Sequence, residues 1–238
     1  MKHNVDINRA KRGIEEFLLG LGYDLQSHPE LMQTSARVAT AFSEDLLAGE
    51  DVNDAELLIC GSYPADETSC VGRSYSDGSE RSEEGCEAGC KEGCKEGCKE
   101  DSKEDSKEDS IGRGFVTLRS IAAVTVCPHH LLPAFGYATV VYSPGSRIAG
   151  IGTIARLVDT HCRRLSFQED IGIRVAEALV KHLGAIGALC HLSMQHMCLI
   201  ARGQRQHEGR FDSTALAGSY ARNDAERASA LAELRACM

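Results

Sequence analysis

The chain contains no run of about 18 apolar residues, so it offers no membrane-spanning helix and no membrane partner is expected. Its opening residues, Met1-Lys2-His3-Asn4-Val5-Asp6, lack the apolar stretch of a secretory leader, which makes the cytoplasm the expected location. A basic excess is also missing: 26 Lys and Arg stand against 35 Asp and Glu, for a formal net charge of −9. Residues 80–110 hold twelve acids and six bases and so carry −6 of that charge; the −3 left for the remainder provides no basic stripe for nucleic acid. Cysteine is plentiful, with 11 residues. In a chain of 238 residues without a leader they read as free thiols and metal ligands rather than a disulfide framework.

Hydrophobic residues make up 42% of the chain, enough for a packed core. Ile7, Ala10, Ile14, Phe17, Leu18 and Leu21 recur at helical spacing, and Leu31, Ala36, Val38, Ala39, Phe42, Leu46 and Leu47 form the apolar face of a second helix, with Gly49 as its C-cap. Periodicity is lost from 60 to 112. A four-residue repeat, (Gly/Asp)-(Cys/Ser)-Lys-Glu, runs from Gly85 to Ser110. A helix there would stack Cys86, Cys90, Cys94 and Cys98, but a Gly in each of those turns costs about 1 kcal/mol and nothing apolar anchors it, so disorder is expected.

Alternation returns at Phe115 to Cys127, with Val116, Leu118, Ala122, Val124 and Val126 on one strand face. Strands at 137–143 and 147–151 follow, joined by the turn Ser143-Pro144-Gly145-Ser146. Ile154, Leu157, Val158 and His161 mark one helix, and Phe167 to His182 another, closed by Gly184. His161 and His182 read as surface or rim histidines. A long strand from 188 to 201 pairs with 210–216, and Tyr220 to Cys237 has helical composition. The expected divisions are an N-terminal helical region (1–58), a low-complexity acidic and Cys-repeat insertion (59–112), a catalytic domain (113–219) and a helical tail (220–238).

Two clusters carry the chemistry. Cys127-Pro128-His129-His130 places a thiolate and an imidazole on one tight turn, and His196-Met197-Cys198 can close a site around the same ion. Read as a strand, residues 194–200 put His196 and Cys198 on one face. Cys127, His130 and Cys198 then make three zinc ligands with a fourth position open, the arrangement of catalytic rather than structural zinc. His129 and His196 remain as general acid and base. Any one of these residues alone reads better as a small core hydrophobe or a satisfied core polar group; it is the five together, in two clusters, that point to a metal.

Cys127-Pro128-His129-His130-Leu131-Leu132-Pro133-Ala134-Phe135-Gly136, together with His196-Met197-Cys198 leading to Arg202-Gly203, resembles the GTP cyclohydrolase I family. The likeness extends through Arg37-Val38-Ala39, Ala155-Arg156-Leu157-Val158 and Arg163-Arg164-Leu165-Ser166-Phe167-Gln168-Glu169. It implies an α+β tunnelling fold, an antiparallel sheet backed by helices with N-terminal helices, assembled as a homo-oligomeric ring (a decamer by the resemblance) with sites between neighbours. It also implies zinc-dependent hydrolysis of GTP to 7,8-dihydroneopterin triphosphate and formate. Gln168 and Glu169 would grip the guanine edge, while Arg156, Arg202, Thr153 and a neighbouring subunit's Arg37 would hold the triphosphate. The chain departs from the family where Gly152-Thr153 replaces Ser-Lys, and where Pro128 replaces Glu. Other readings are a related zinc hydrolase acting on another purine nucleotide or stopping at the ring-opened formamide, and a catalytically weak zinc-binding or interaction paralogue.

Overall fold

Two helical segments open the described chain, which covers residues 5–23, 27–65 and 114–236 of the computed structural model and forms one compact unit. The Cys repeat lies outside the described residues. Asp6 caps helix α1 (Ile7–Gly20), its side chain accepting from Arg9 N at 2.9 Å. The second helix is shorter than its apolar pattern suggests. Helix α2 (Thr34–Thr40) widens into a π turn over Ala41–Leu46. Gly49 is not a left-handed cap; a Cβ on it would lie 2.0 Å from Thr160 O, so glycine is needed for close approach. Asn53 caps α3 (Asp54–Cys60), and β1 (Ser62–Pro64) follows. Residues 59–65 thus belong to the fold rather than to the low-complexity segment, and Arg147 fastens them, donating from Nε to Ser62 Oγ (2.8 Å) and from Nη2 to Ser62 O (2.8 Å).

The main sheet is antiparallel, with strand order β2 (Val116–Val126), β3 (Pro133–Ser143), β5 (Gly187–His196), β6 (Phe211–Gly218). The short β4 (Arg147–Ala149) pairs with β1. Helices α4 (Ile151–Cys162) and α5 (Gln168–Leu183) cover one sheet face, packing Ile154, Leu157, Ile171 and Leu179 onto Ala138, Val140 and Leu192. Gly184, at φ 74°, ends α5 as expected. The tail forms α7 (Ser219–Arg222) and, after Asn223, α8 (Asp224–Ala236), which lays Ala230 and Leu234 on Val141 and Leu189 of the opposite sheet face. The architecture is α+β, an antiparallel sheet backed by helices. Among the described residues no helix is long and apolar enough to cross a membrane.

Three further expectations differ from the structure. Ser120 takes φ 57° and the β2–β3 register shifts between Leu118 and Ile121, so the alternation changes phase. Ile121, Ala123 and Thr125 are therefore buried while Ala122 and Val124 face outward. Secondly, β5 stops at His196: its partner on β3 is Ala134, the preceding Pro133 has no N–H to extend the ladder, and residues Met197–Ile200 form a helical turn, α6. His196 and Cys198 consequently do not share a strand face. Thirdly, His161 is no rim residue but 1% exposed, with Nε2 3.1 Å from Asp54 Oδ2.

Candidate active site

Strand β2 delivers Cys127 into a turn closed by Cys127 N donating to Leu132 O (2.9 Å) and Leu131 N donating to Cys127 O (2.9 Å). Leu131 takes φ 53° to make the reversal. The turn folds His130 back, bringing its Nδ1 3.8 Å from Cys127 Sγ. Cys198, on α6, completes the cluster. The ligand atoms of Cys127, His130 and Cys198 all lie within 4.8 Å of one another.

Two sulfurs and an imidazole nitrogen form a soft donor set suited to zinc, and tetrahedral bonds of about 2.3 Å to sulfur and 2.0 Å to nitrogen imply donor separations of roughly 3.5–3.8 Å. The spacing fits. Burial pushes the Cys198 thiol up, the adjacent Cys127 adds to that, and Arg202 works against it, so Arg202 stands in the electrostatic field of the cluster. A cation held between the two sulfurs would reverse that like-charge opposition.

Beside the cluster is a cavity of about 270 Å³ lined by Thr125, Cys127, Phe167, Glu169, His196 and Cys198, among others. His196 Nε2 meets Gln168 Oε1 at 2.9 Å. Burial lowers the pKa of His196, with the Glu169 carboxylate pulling the other way. His129 is exposed and packs its ring 4.9 Å from that of Phe167.

The remaining sequence-selected residues divide. Glu169 is exposed at the cavity wall. Gln168 is 2% exposed, and its Nε2 donates to Leu192 O (3.0 Å), Phe211 O (2.9 Å) and Ser213 Oγ (3.0 Å). Its amide is committed to the fold and to His196, which makes it a support rather than an open ligand edge. Arg156 and Thr153 line a separate cavity of about 420 Å³ shared with Asp51, Asn53 and Glu56. Thr153 Oγ1 donates to Gly61 O at 2.9 Å, so its proton is used within the chain. Arg37 is exposed on α2 and donates to Gln33 Oε1 at 2.9 Å. The chain therefore gathers the Cys127, His130 and Cys198 cluster with His196 and Glu169, but leaves Arg37 and Arg156 apart from it.

As site residues the sequence did not mark Thr125, Phe167, Leu199 and Phe211, which also line the cavity. Thr125 had a usable signal, since it stands two residues before Cys127 in a strand. Phe167 had one too, since it directly precedes Gln168 and Glu169, whereas Phe211 had none, because its place depends on β6 lying beside β5.

Comparison with known proteins bears on this arrangement. The family model described as GTP cyclohydrolase I matches residues 77–235. GTP cyclohydrolase 1 of Corynebacterium glutamicum is 26% identical over 232 residues, 97% of this chain and 94% of that one. GTP cyclohydrolase 1 of Chromobacterium violaceum is 41% identical over 114 residues, covering 48% of this chain and 55% of the relative. For "GTP cyclohydrolase 1 2" of Pseudomonas aeruginosa the figures are 34% over 120 residues, 50% and 66%. In these last two the match spans less than two thirds of the relative. A solved structure, the archaeosine synthase QueF-Like in the apo form, gives a TM-score of 0.37 at 15% identity over 44% of this chain and 93% of that chain.

Proposed function

The chain belongs to the GTP cyclohydrolase I family, and from that premise we propose that it hydrolyses GTP to 7,8-dihydroneopterin triphosphate and formate, supplying folate or other pterins. The observation that carries the reading is the gathering of Cys127, His130 and Cys198 beside a cavity that His196 and Glu169 also line. A zinc ion held by those three residues would supply Lewis-acid activation of the water that attacks C8 of the purine.

The chain's own groups do the rest. Gln168 orients the His196 ring, and the lowered pKa of His196 keeps it neutral near pH 7, ready to take a proton as the imidazole ring opens. His129, exposed on the metal turn, is the second proton carrier. Glu169 accepts from the guanine ring N–H and exocyclic amine. Arg202 holds phosphate on the same subunit, while Arg156 and Arg37 serve the triphosphate across subunit boundaries of a homo-oligomeric ring in the cytoplasm.

The test is incubation of zinc-loaded protein with GTP, following formate and the pterin, with His129→Ala as control. Equimolar formate and dihydroneopterin triphosphate, absent in the control, support the reading. Zinc-loaded protein without turnover overturns it.

A further inference from the structure

We propose that Thr125 is a ligand-contacting residue of this site, its hydroxyl hydrogen-bonding a ring nitrogen or carbonyl oxygen of the purine seated in the 270 Å³ cavity. This inference rests on the GTP reading above. It begins with the sheet register. Thr125 pairs with Ala134, and Ala134 pairs with His196, so the three form one cross-strand row. Alternation places Thr125 on the helix-covered face with Ile121 and Ala123, and Ala134 belongs to the same core. Alanine is the short member of the row. Thr125 and His196 thus flank Ala134 in this row, two strand spacings or about 10 Å apart, and both line the cavity.

Burial supplies the second argument. Thr125 is 2% exposed and its Oγ1 is buried without a hydrogen-bond partner among the described residues. Its polar neighbours in the cavity wall are engaged: Gln168 has four partners, His196 has Gln168, and Ser166 Oγ donates to Arg164 O at 3.4 Å. A buried hydroxyl without a partner opposes folding. Valine, of the same shape and strand preference, would fill this position without that cost. Folding therefore does not account for the oxygen, and a ligand does.

The cavity indicates the kind of ligand. It is slightly below the roughly 300–1,000 Å³ of sites for drug-sized molecules, which suits a bicyclic base with its phosphates outside. Phe167, Leu199 and Phe211 offer apolar contact to ring faces, while Glu169 and Thr125 offer polar contact to ring edges. A hydroxyl both donates and accepts, so it can serve a heteroaromatic ring before and after opening.

The deciding experiment compares Thr125→Val and Thr125→Ser in a zinc-loaded His129→Ala parent, in which loss of the proposed proton carrier should let GTP bind without being consumed. GTP affinity is measured by calorimetry, melting temperature without ligand, and zinc content in all three. Thr125→Val should weaken GTP about three- to tenfold, and Thr125→Ser should stay within about twofold of the parent. Without ligand, Thr125→Val should melt a few degrees higher, because the unpartnered oxygen is gone. Unchanged affinity in Thr125→Val overturns the inference and leaves the GTP reading standing; a Thr125→Val that is less stable than the parent also overturns it, since the hydroxyl would then be structural. A wild-type protein that does not bind GTP removes both.

Discussion

His196 Nε2 donates to Gln168 Oε1 across 2.9 Å, and the direction of that bond is fixed from behind. The Gln168 nitrogen faces Leu192 O and Phe211 O, which can only accept, so its oxygen must face the histidine. Neutral His196 therefore carries its proton on Nε2 and keeps Nδ1 as the basic nitrogen. Gln168→Leu, which strands two backbone carbonyls, should lower the urea-unfolding free energy on the order of 1–3 kcal/mol. It should also lower kcat for GTP about tenfold or more with a smaller change in KM, because the ring loses its orientation.

The cysteines should separate by alkylation followed by peptide mass spectrometry. Burial, then Asp159, pushes the Cys162 thiol up to about 12, and burial raises Cys190 further still. At pH 8 roughly one Cys162 in ten thousand is a thiolate, so both should label only on unfolding. Exposed Cys60 should label at once. Cys127 and Cys198 should be protected in zinc-loaded protein and become reactive after chelation; Cys127→Ala should reduce bound zinc in an elemental assay.

Asp54 gives a pH dependence with a definite sign. Burial raises its pKa, but His161, Arg164 and His182 outweigh that and hold the carboxyl below its ordinary value of 3.8. A depressed folded-state value contributes stability above the unfolded value, about pH 4, and loses it as pH falls through the folded value. Asp54→Asn should thus be less stable than wild type at pH 7, on the order of 1–3 kcal/mol, because His161 is left buried against an uncharged amide. The difference should shrink steadily in melts taken from about pH 4 towards pH 2.

Two glycines should respond in opposite directions. A Cβ on Gly136 would stand 2.0 Å from Ser193 O and 2.7 Å from Met194 Cα in the middle of the sheet, so Gly136→Ala should destabilise by about 1–3 kcal/mol. Gly13, in the middle of α1, has nothing within 4 Å, and Gly13→Ala should stabilise by about 0.5–1 kcal/mol. Urea midpoints at unchanged m-values would read both.

Elements whose signals are local were legible in the sequence: α1, α5 with its Gly184 cap, β3 from Tyr137 onward and the Cys127 turn. The misread positions depended on partners distant in the chain. Whether Ala122 or Ala123 faced the core was decided by Ser120 and the shift against β3, and the end of β5 by Pro133 on a neighbouring strand. His161 looked like a rim residue because nothing nearby in sequence announces Asp54, which reaches it from α3. At the site the grouping of Cys127, His130 and Cys198 was readable from spacing, whereas the support role of Gln168 required the carbonyls of β5 and β6.

The irregularity at Ser120 has a consequence for how the chain tolerates change in length. From Ile121 to Val126, β2 is locked to Ala138 through Pro133, and the closed turn at Cys127 fixes that stretch from its far end. Loss of one codon upstream could not slide this hairpin without unmaking the turn. The error would instead be absorbed between Val116 and Leu118, where Thr117 Oγ1 donates to Glu233 of α8. A one-residue deletion there should loosen the grip on the C-terminal helix and leave Cys127 and His130 where they are. The two residues of β2 that stand against the single Thr139 of β3, between Leu118 and Ile121, insulate the Cys127 turn from slippage elsewhere in its own strand.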